Sequence, residues 1–415
     1  MLFNKPRAVE YMNRYGLDAL VATSTVNVTY FTDYYCWMDP IFKEYMHQPG
    51  APNQLFETYA LFPLEGEPAL IIQPLLAVNA VDVWVKDIYV SGATELDLTL
   101  PAGPVTNELE RVNAAFKKSE GNATPLEALL SAIKDRGLIN GSIGIEFENV
   151  PEERRNKIAT ALSGATVRDC TNLIRLLRAV KSPDEITLLK TAAEISEKAG
   201  MESFDLARPG TSLSELIQHF RVRIAEMGAD FDHYAFGYRG YGLATEPEYI
   251  LSDDDVMFTD WGVIYKGYFS DTGTTLAMCE PSDELIKRHG ALRDSLISAA
   301  ELMKPGVKSS IAQDAMWEPL LAGGITVCYP HGHGFGLDVR DYPIVVPDNG
   351  LRISDECVDV SSDLEFEPNM VINLEAGTMI AGVASLQAEQ TYIVTPTGAE
   401  LLIPQDRDKP LQPGK

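Results

Sequence analysis

Val256-Met-Phe-Thr-Asp260-Trp-Gly-Val-Ile-Tyr-Lys-Gly-Tyr-Phe-Ser-Asp271-Thr-Gly-Thr-Thr has the composition of a β-hairpin, with Lys266 near its turn. Aspartate is depleted from strands, yet one sits on each arm, eleven residues apart, with glycines near both. A later pair of runs, Val371-Ile-Asn-Leu-Glu375 and Leu386-Gln-Ala-Glu389-Gln-Thr-Tyr-Ile-Val, repeats the arrangement with two glutamates. Four carboxylates set among apolar strand residues cost several kcal/mol each if buried without partners. Lys266 is the one basic residue in these runs, so divalent metal is the economical neutraliser: four carboxylates balance two M²⁺ ions. Between the hairpins, Tyr329-Pro-His331-Gly-His333-Gly-Phe-Gly-Leu-Asp338 supplies imidazole, with glycines that allow close backbone approach. Carboxylate oxygens with one imidazole suit Mn, Fe, Co or Zn in a two-metal site. A single strand Asp commonly marks a turn or an edge. Five such residues in mirrored hairpins are hard to read that way.

Around these hairpins the sequence is periodic. Ser182-Pro-Asp-Glu185 is a capping box with Pro at the first helical position, and Ile186, Leu189 and Ala193 follow at helical spacing until Arg208-Pro-Gly210. Ser212-Leu-Ser-Glu215, a second capping box, opens a second helix, with Leu213, Leu216, Ile217, Phe220, Ile224 and Met227 on one face. The phrase recurs about a hundred residues later. A helix runs from Ser282 to Met303, stops at Lys304-Pro-Gly306, and another starts near Ser309. Two copies of helix–helix–hairpin place the two hairpins side by side. The first 175 residues differ. Ala19–Thr23 reads as a buried strand, Tyr59–Phe62 and Pro68–Ile72 as a hairpin around Glu65-Gly-Glu67, and Ile143–Glu148 as a strand before a helix from Pro151. Surface loops are expected around Leu100-Pro-Ala-Gly-Pro104 and Gly121-Asn-Ala-Thr124. The expectation is an α/β domain over 1–175 and an α+β domain with a pseudo-two-fold repeat over 176–415.

With 415 residues the chain is too long for one core, and 45% hydrophobic with 23% charged residues excludes disorder and collagen-like repetition. Sixty acidic against thirty-four basic residues give a net charge of −26, which repels phosphate backbones and anionic lipid. Neither nucleic acid nor a membrane surface is expected as a partner. Five scattered cysteines without a CxxC pair argue against a disulfide framework and a thiolate zinc site. No apolar run reaches membrane-spanning length, and the first residues carry no signal-peptide pattern, so a cytoplasmic location is expected.

The Asp-x10-Asp pair, Gly-His-Gly-x-Gly and the two strand glutamates together resemble the M24 metallopeptidase family. The resemblance extends over essentially the whole chain and is strongest to the prolidase, aminopeptidase P and creatinase branch. It implies a pita-bread fold for the second domain, two divalent metals (Mn, Co, Zn or Fe) and a homodimer. Asp260 would hold one metal, His333 with Glu375 the other, and Asp271 and Glu389 would bridge them. A water activated by the pair would be the nucleophile, and Glu375 the proton shuttle to the leaving amine. The peptide-recognising residues depart from the branch. Leu243 stands where a histidine is usual, Arg340 where a second usually follows the metal histidine, and Gln387 where an arginine is common. His331 matches the usual upstream histidine if two residues are deleted. His233 reads as an ordinary loop or core histidine, with a substrate contact left open. Arg340 suits an anionic group by bidentate contact, or else a surface pair with Asp338 or Asp341. Trp261, Tyr265 and Tyr268 are core or pocket wall.

The function implied is hydrolysis of a C–N amide bond in a small substrate, of the Xaa-Pro peptidase kind, with Glu375, His331 and Arg340 as catalytic candidates. An alternative keeps fold and metals but acts on a non-peptide metabolite, as creatinase-like and ectoine-hydrolase-like enzymes do. The sulfoniopropionate lyase of this fold has an extra Asp two residues from the first metal aspartate, where this chain has Phe258 and Gly262. A third reading is a non-catalytic binding module.

Overall fold

A computed structural model describes residues 1–39, 57–91, 106–118, 121–148, 150–245 and 248–413. The loop expected at 100–104 lies outside them. The chain forms two compact units: residues 1–177 with 353–360, and 178–352 with 361–415. The short return of 353–360 to the first unit has no counterpart in the boundaries 1–175 and 176–415. It is made by backbone capping across distant sequence: Leu173 N donates to Asp355 Oδ2 (2.9 Å) and Asp169 N to Glu356 Oε2 (2.6 Å).

In the first unit, strands β1 (Ala19–Ala22), β2 (Tyr59–Pro63), β3 (Ala69–Ile72), β4 (Asp87–Val90), β5 (Ser142–Ile145) and β6 (Thr166–Asp169) form one mixed sheet, ordered β4-β3-β2-β1-β5-β6. The Glu65-Gly66-Glu67 hairpin is present, with Gly66 at φ 101°. One core gathers Val21, Leu61, Ile71, Ile143 and Ile145 with Leu129 and Ile133 from the helix Pro125–Asp135.

The second unit is built on a ten-stranded sheet with helices packed against it. Its strands are β7 (Asp230–Gly237), β8 (Leu243–Ala244), β9 (Val256–Tyr265), β10 (Tyr268–Phe269), β11 (Thr272–Ala277), β12 (His331–Gly334), β13 (Asp341–Val345), β16 (Val371–Ile380), β17 (Ala384–Thr395) and β18 (Gly398–Leu401); β14 (Arg352–Ser354) and β15 (Asp359–Ser361) pair with each other at the ends of the segment that returns to the first unit. The main order is β13-β12-β16-β17-β11-β9-β7-β8, so β11 and β17 bring the two hairpins edge to edge as the repeat requires. Ser182 and Glu185 form the full capping box of the helix Pro183–Phe204. Ser212 accepts from Glu215 N at the start of Leu213–Glu226. The helix expected from Ser309 is two pieces, Ser309–Ala315 and Trp317–Ala322. Pro319 explains the break, because its ring excludes the carbonyl four residues back, at Ala315.

Glu185 is buried, accepting from Ser182 N (2.8 Å) and the Tyr268 hydroxyl (3.2 Å). Burial raises its pKa to about 7, although Lys181 and these hydrogen bonds oppose the rise. A carboxyl that holds its proton more tightly folded than unfolded makes the fold less stable as pH climbs from about 4.5 to 7. Glu185→Gln is therefore expected to flatten that slope and to stabilise the protein above pH 7, by up to about 3 kcal/mol. Melting curves from pH 5 to 8 check this; a variant melting below wild type at pH 8 would show that Lys181 needs the charge.

Candidate metal centre

Strand register places the candidate residues in two adjacent rows on one sheet face, because side chains alternate faces with period two. In the first row His331 pairs with Glu375, Glu375 with Glu389, Glu389 with Gly273, and Gly273 with Asp260. In the second row, two residues along each strand, stand His333 opposite Asn373 and His233 opposite Gly262. Asp271 immediately precedes β11 and so belongs to that row, two residues before Gly273. Trp261, one step out of phase with Asp260, faces the other way. It is fully buried, donates from Nε1 to Ser196 O (3.0 Å) and packs on Gly200, so it does not line the site. Tyr268 is likewise core.

The glycines beside the acids give them room. A Cβ on Gly273 would lie 2.3 Å from Glu389 Oε2, and one on Gly262 would lie 2.6 Å from the His233 ring. Gly273→Ala is expected to displace the Glu389 carboxylate and weaken metal uptake by at least tenfold. Calorimetric titration with Mn²⁺ is the check, and unchanged affinity would count against it.

His333 Nε2 lies 3.4 Å from Asp271 Oδ2 and 3.9 Å from Glu375 Oε1. His331 Nε2 is 2.7 Å from Glu375 Oε1, and Arg340 Nη2 is 3.2 Å from that oxygen. At the other end His233 Nε2 is 2.9 Å from Asp260 Oδ1 and 3.6 Å from Asp271 Oδ1. Glu389 is buried between, its two oxygens accepting from Asn373 Nδ2 (2.5 Å) and Gln387 Nε2 (2.6 Å).

Two observations test whether these residues suit divalent metal. His333 is fully buried and donates from Nδ1 to Gly334 O (3.1 Å), which leaves Nε2, turned toward Asp271 and Glu375, with no hydrogen-bond partner among the described residues. The acids are also under-compensated. Burial raises the Glu389 pKa well above the carboxylate range, and the charges of Asp260, Asp271 and Glu375 raise it further. Burial likewise lifts Asp260 to about 6 against the pull of His233. Asp271 goes the other way: burial is outweighed by His333 and His233, and its pKa falls. The set fits cations.

The structure departs from the sequence reading at several residues. His233 is neither a loop nor an ordinary core histidine; it lies on β7 against Asp260 and Asp271, with Nδ1 2.7 Å from Asp232 Oδ2. Burial lowers its pKa, but the hydrogen bonds to Asp232 and Asp260 and the nearby charges win, raising it to about 11. The signal was present in Phe231, Tyr234 and Phe236, strand formers that end at Gly237. Arg340 does not pair with Asp338 or Asp341. The buried Arg178 takes both, and Arg340 is left to reach Glu375. Asn373 was not read as a site residue, and Gln387 was read only as standing where an arginine is common; both hold Glu389. Leu243 lies on β8, largely exposed.

Such a constellation of acids and imidazoles on a two-fold-related sheet defines a metalloenzyme. Residues 156–396 match the model of Metallopeptidase family M24, and residues 6–180 that of the Creatinase/Prolidase N-terminal domain. The chain belongs to the M24 metallopeptidase family, whose members use divalent metals, and it has the pita-bread fold. An uncharacterized peptidase of Staphylococcus aureus is 28% identical over 265 residues, 62% of this chain and 72% of that protein. The uncharacterized peptidase YqhT of Bacillus subtilis is 25% identical over the same length, covering 62% and 71%. Among solved structures, the X-Pro aminopeptidase of Thermotoga maritima superposes with a TM-score of 0.70 at 20% identity over 99% of both chains. The Xaa-Pro dipeptidase of Bacillus anthracis gives 0.70 at 19% over 98% of both. These two similarities establish fold. Among the described residues, no helix is long and apolar enough to cross a membrane.

Proposed function

We propose that the protein is a dinuclear metal-dependent hydrolase that cuts the amide bond of a short peptide, of the Xaa-Pro kind. What carries the reading is the convergence of Asp260, Asp271, His333, Glu375 and Glu389 on one face of a single sheet, with an unpartnered imidazole nitrogen among them. Asp260 would hold one ion, His333 and Glu375 the other, with Asp271 and Glu389 shared. When bound, the ions would supply Lewis-acid polarisation of the scissile carbonyl and a water acidified for attack. Asn373 and Gln387 fix the Glu389 carboxylate by both oxygens, so it does not swing during turnover. Glu375 is the proton carrier to the leaving amine, and His331 receives or returns the proton through its 2.7 Å contact.

Arg340, about half exposed beside Glu375, is placed to meet a substrate carboxylate. Arg340→Ala is expected to raise KM for substrates with a free carboxylate about ten- to hundredfold, the worth of a charged hydrogen bond, with little change in kcat. Unchanged KM would remove Arg340 from recognition. A second reading, hydrolysis of a non-peptide metabolite, is favoured by the neutral Gln387, which holds Glu389 where the branch commonly has an arginine. A panel of Xaa-Pro di- and tripeptides beside creatine and ectoine separates the two. No turnover of any peptide would remove the first.

A further inference from the structure

We infer that His233 is a sixth protein ligand, binding through Nε2 the divalent ion that Asp260 holds, so that each ion carries one imidazole. The inference rests on the two-metal reading above and adds to it a residue outside the Asp-Asp-His-Glu-Glu pattern. Three features of β7 and its neighbour support it.

First, the ring is aimed. The β7–β9 register shifts between Phe231 and His233, and such a bulge re-aims a side chain. Gly262 opposite leaves the space that the imidazole fills. Second, the ring is held. The Asp232 carboxylate accepts from Nδ1 at 2.7 Å, which holds the ring plane and turns Nε2 toward Asp260, where an ion would take the place of the Nε2 proton. A carboxylate behind a ligating histidine is the usual outer support of a metal site, worth roughly 10- to 100-fold in affinity. Third, the spacing suits one shared ion. With bonds of about 2.1 Å, neighbouring ligand atoms stand about 3.0 Å apart at right angles and about 3.4 Å apart at the tetrahedral angle. Nε2 lies 2.9 Å from Asp260 Oδ1 and 3.6 Å from Asp271 Oδ1, and ligand atoms of His233, Asp260 and Asp271 all fall within 4.8 Å of one another.

A second nitrogen donor changes which metal the site prefers. Imidazole favours Co and Zn, whereas an all-oxygen shell suits Mn. His233 thus tilts the Asp260 position toward the nitrogen-preferring metals and makes the two positions chemically alike.

The experiment titrates Co²⁺ and Mn²⁺ against a chromophoric chelator into chelator-stripped wild type, His233→Ala and Asp232→Asn, and records the visible Co²⁺ spectrum. Wild type is expected to take two Co²⁺ equivalents. His233→Ala should bind one of them about a hundredfold more weakly, with an altered spectrum, and should lose less affinity for Mn²⁺. Asp232→Asn should show a ten- to hundredfold loss at the same equivalent. Two Co²⁺ equivalents with wild-type affinity and spectrum in His233→Ala would overturn the inference and leave the two-metal reading standing. Fewer than one equivalent in wild type would overturn both. Circular dichroism establishes that the variants fold; should His233→Ala not fold, wild-type Co²⁺ affinity in Asp232→Asn overturns the inference.

Discussion

Glu389→Ala is expected to reduce turnover of any good substrate by on the order of a thousandfold or more. In the proposed centre the removed carboxylate would be shared by both ions, and charge stabilisation by a catalytic metal amounts to several kcal/mol, about tenfold for each 1.4. The variant should still fold. The amides of Asn373 and Gln387 lose their acceptor, a cost of roughly 1–3 kcal/mol for each group left unsatisfied. Against this, the metal-free protein is relieved of a buried carboxylate crowded by Asp260, Asp271 and Glu375. These effects oppose, so melting in EDTA should shift little while the gain in Tm on adding Mn²⁺ is lost. Steady-state kinetics and melting with and without metal check both parts. Activity within tenfold of wild type would exclude a bridging role.

Glu375→Gln should have the next largest effect, a fall in kcat of about 10²- to 10⁴-fold, the usual contribution of a positioned acid–base group. The amide keeps the shape and one acceptor oxygen but neither takes nor gives a proton at neutral pH. Its neighbours sharpen the expectation: His331 and Arg340 both address Oε1, so the proposed proton carrier has one oxygen already held. KM should change less than kcat, because the lost interaction belongs to the transition state. A variant with kcat intact and KM raised would make Glu375 a binding residue only.

Much of this site was legible from local pattern. Aspartates eleven residues apart fall on one face of a hairpin with a two-residue turn, here Lys266-Gly267, and the mirrored glutamates could be joined to them once the helix–helix–hairpin phrase was seen to repeat. The capping box at Ser182 was readable for the same reason: it lies within four residues. What escaped depends on long-range register. His233 belongs to β7, which has no twin among the quoted runs, and the bulge beside it breaks the alternation that exposes a strand. Asn373 and Gln387 are ordinary strand amides until β16 and β17 pair and turn both toward Glu389. Arg340 was ambiguous among three acids, and only the buried Arg178, 160 residues upstream of Asp338, decides which remains for it.

The charge of −26 also reads differently with the site in view. Of the sixty acids, Asp260, Asp271, Glu375 and Glu389 form one cluster on one sheet face. The proposal that this cluster is a dinuclear metal centre is tested most directly by elemental analysis of protein stripped of metal, reconstituted with Mn²⁺ or Co²⁺ and freed of excess. The account predicts about two equivalents per chain, reduced by at least one in Asp271→Ala. Fewer than one equivalent in the wild-type protein would contradict it.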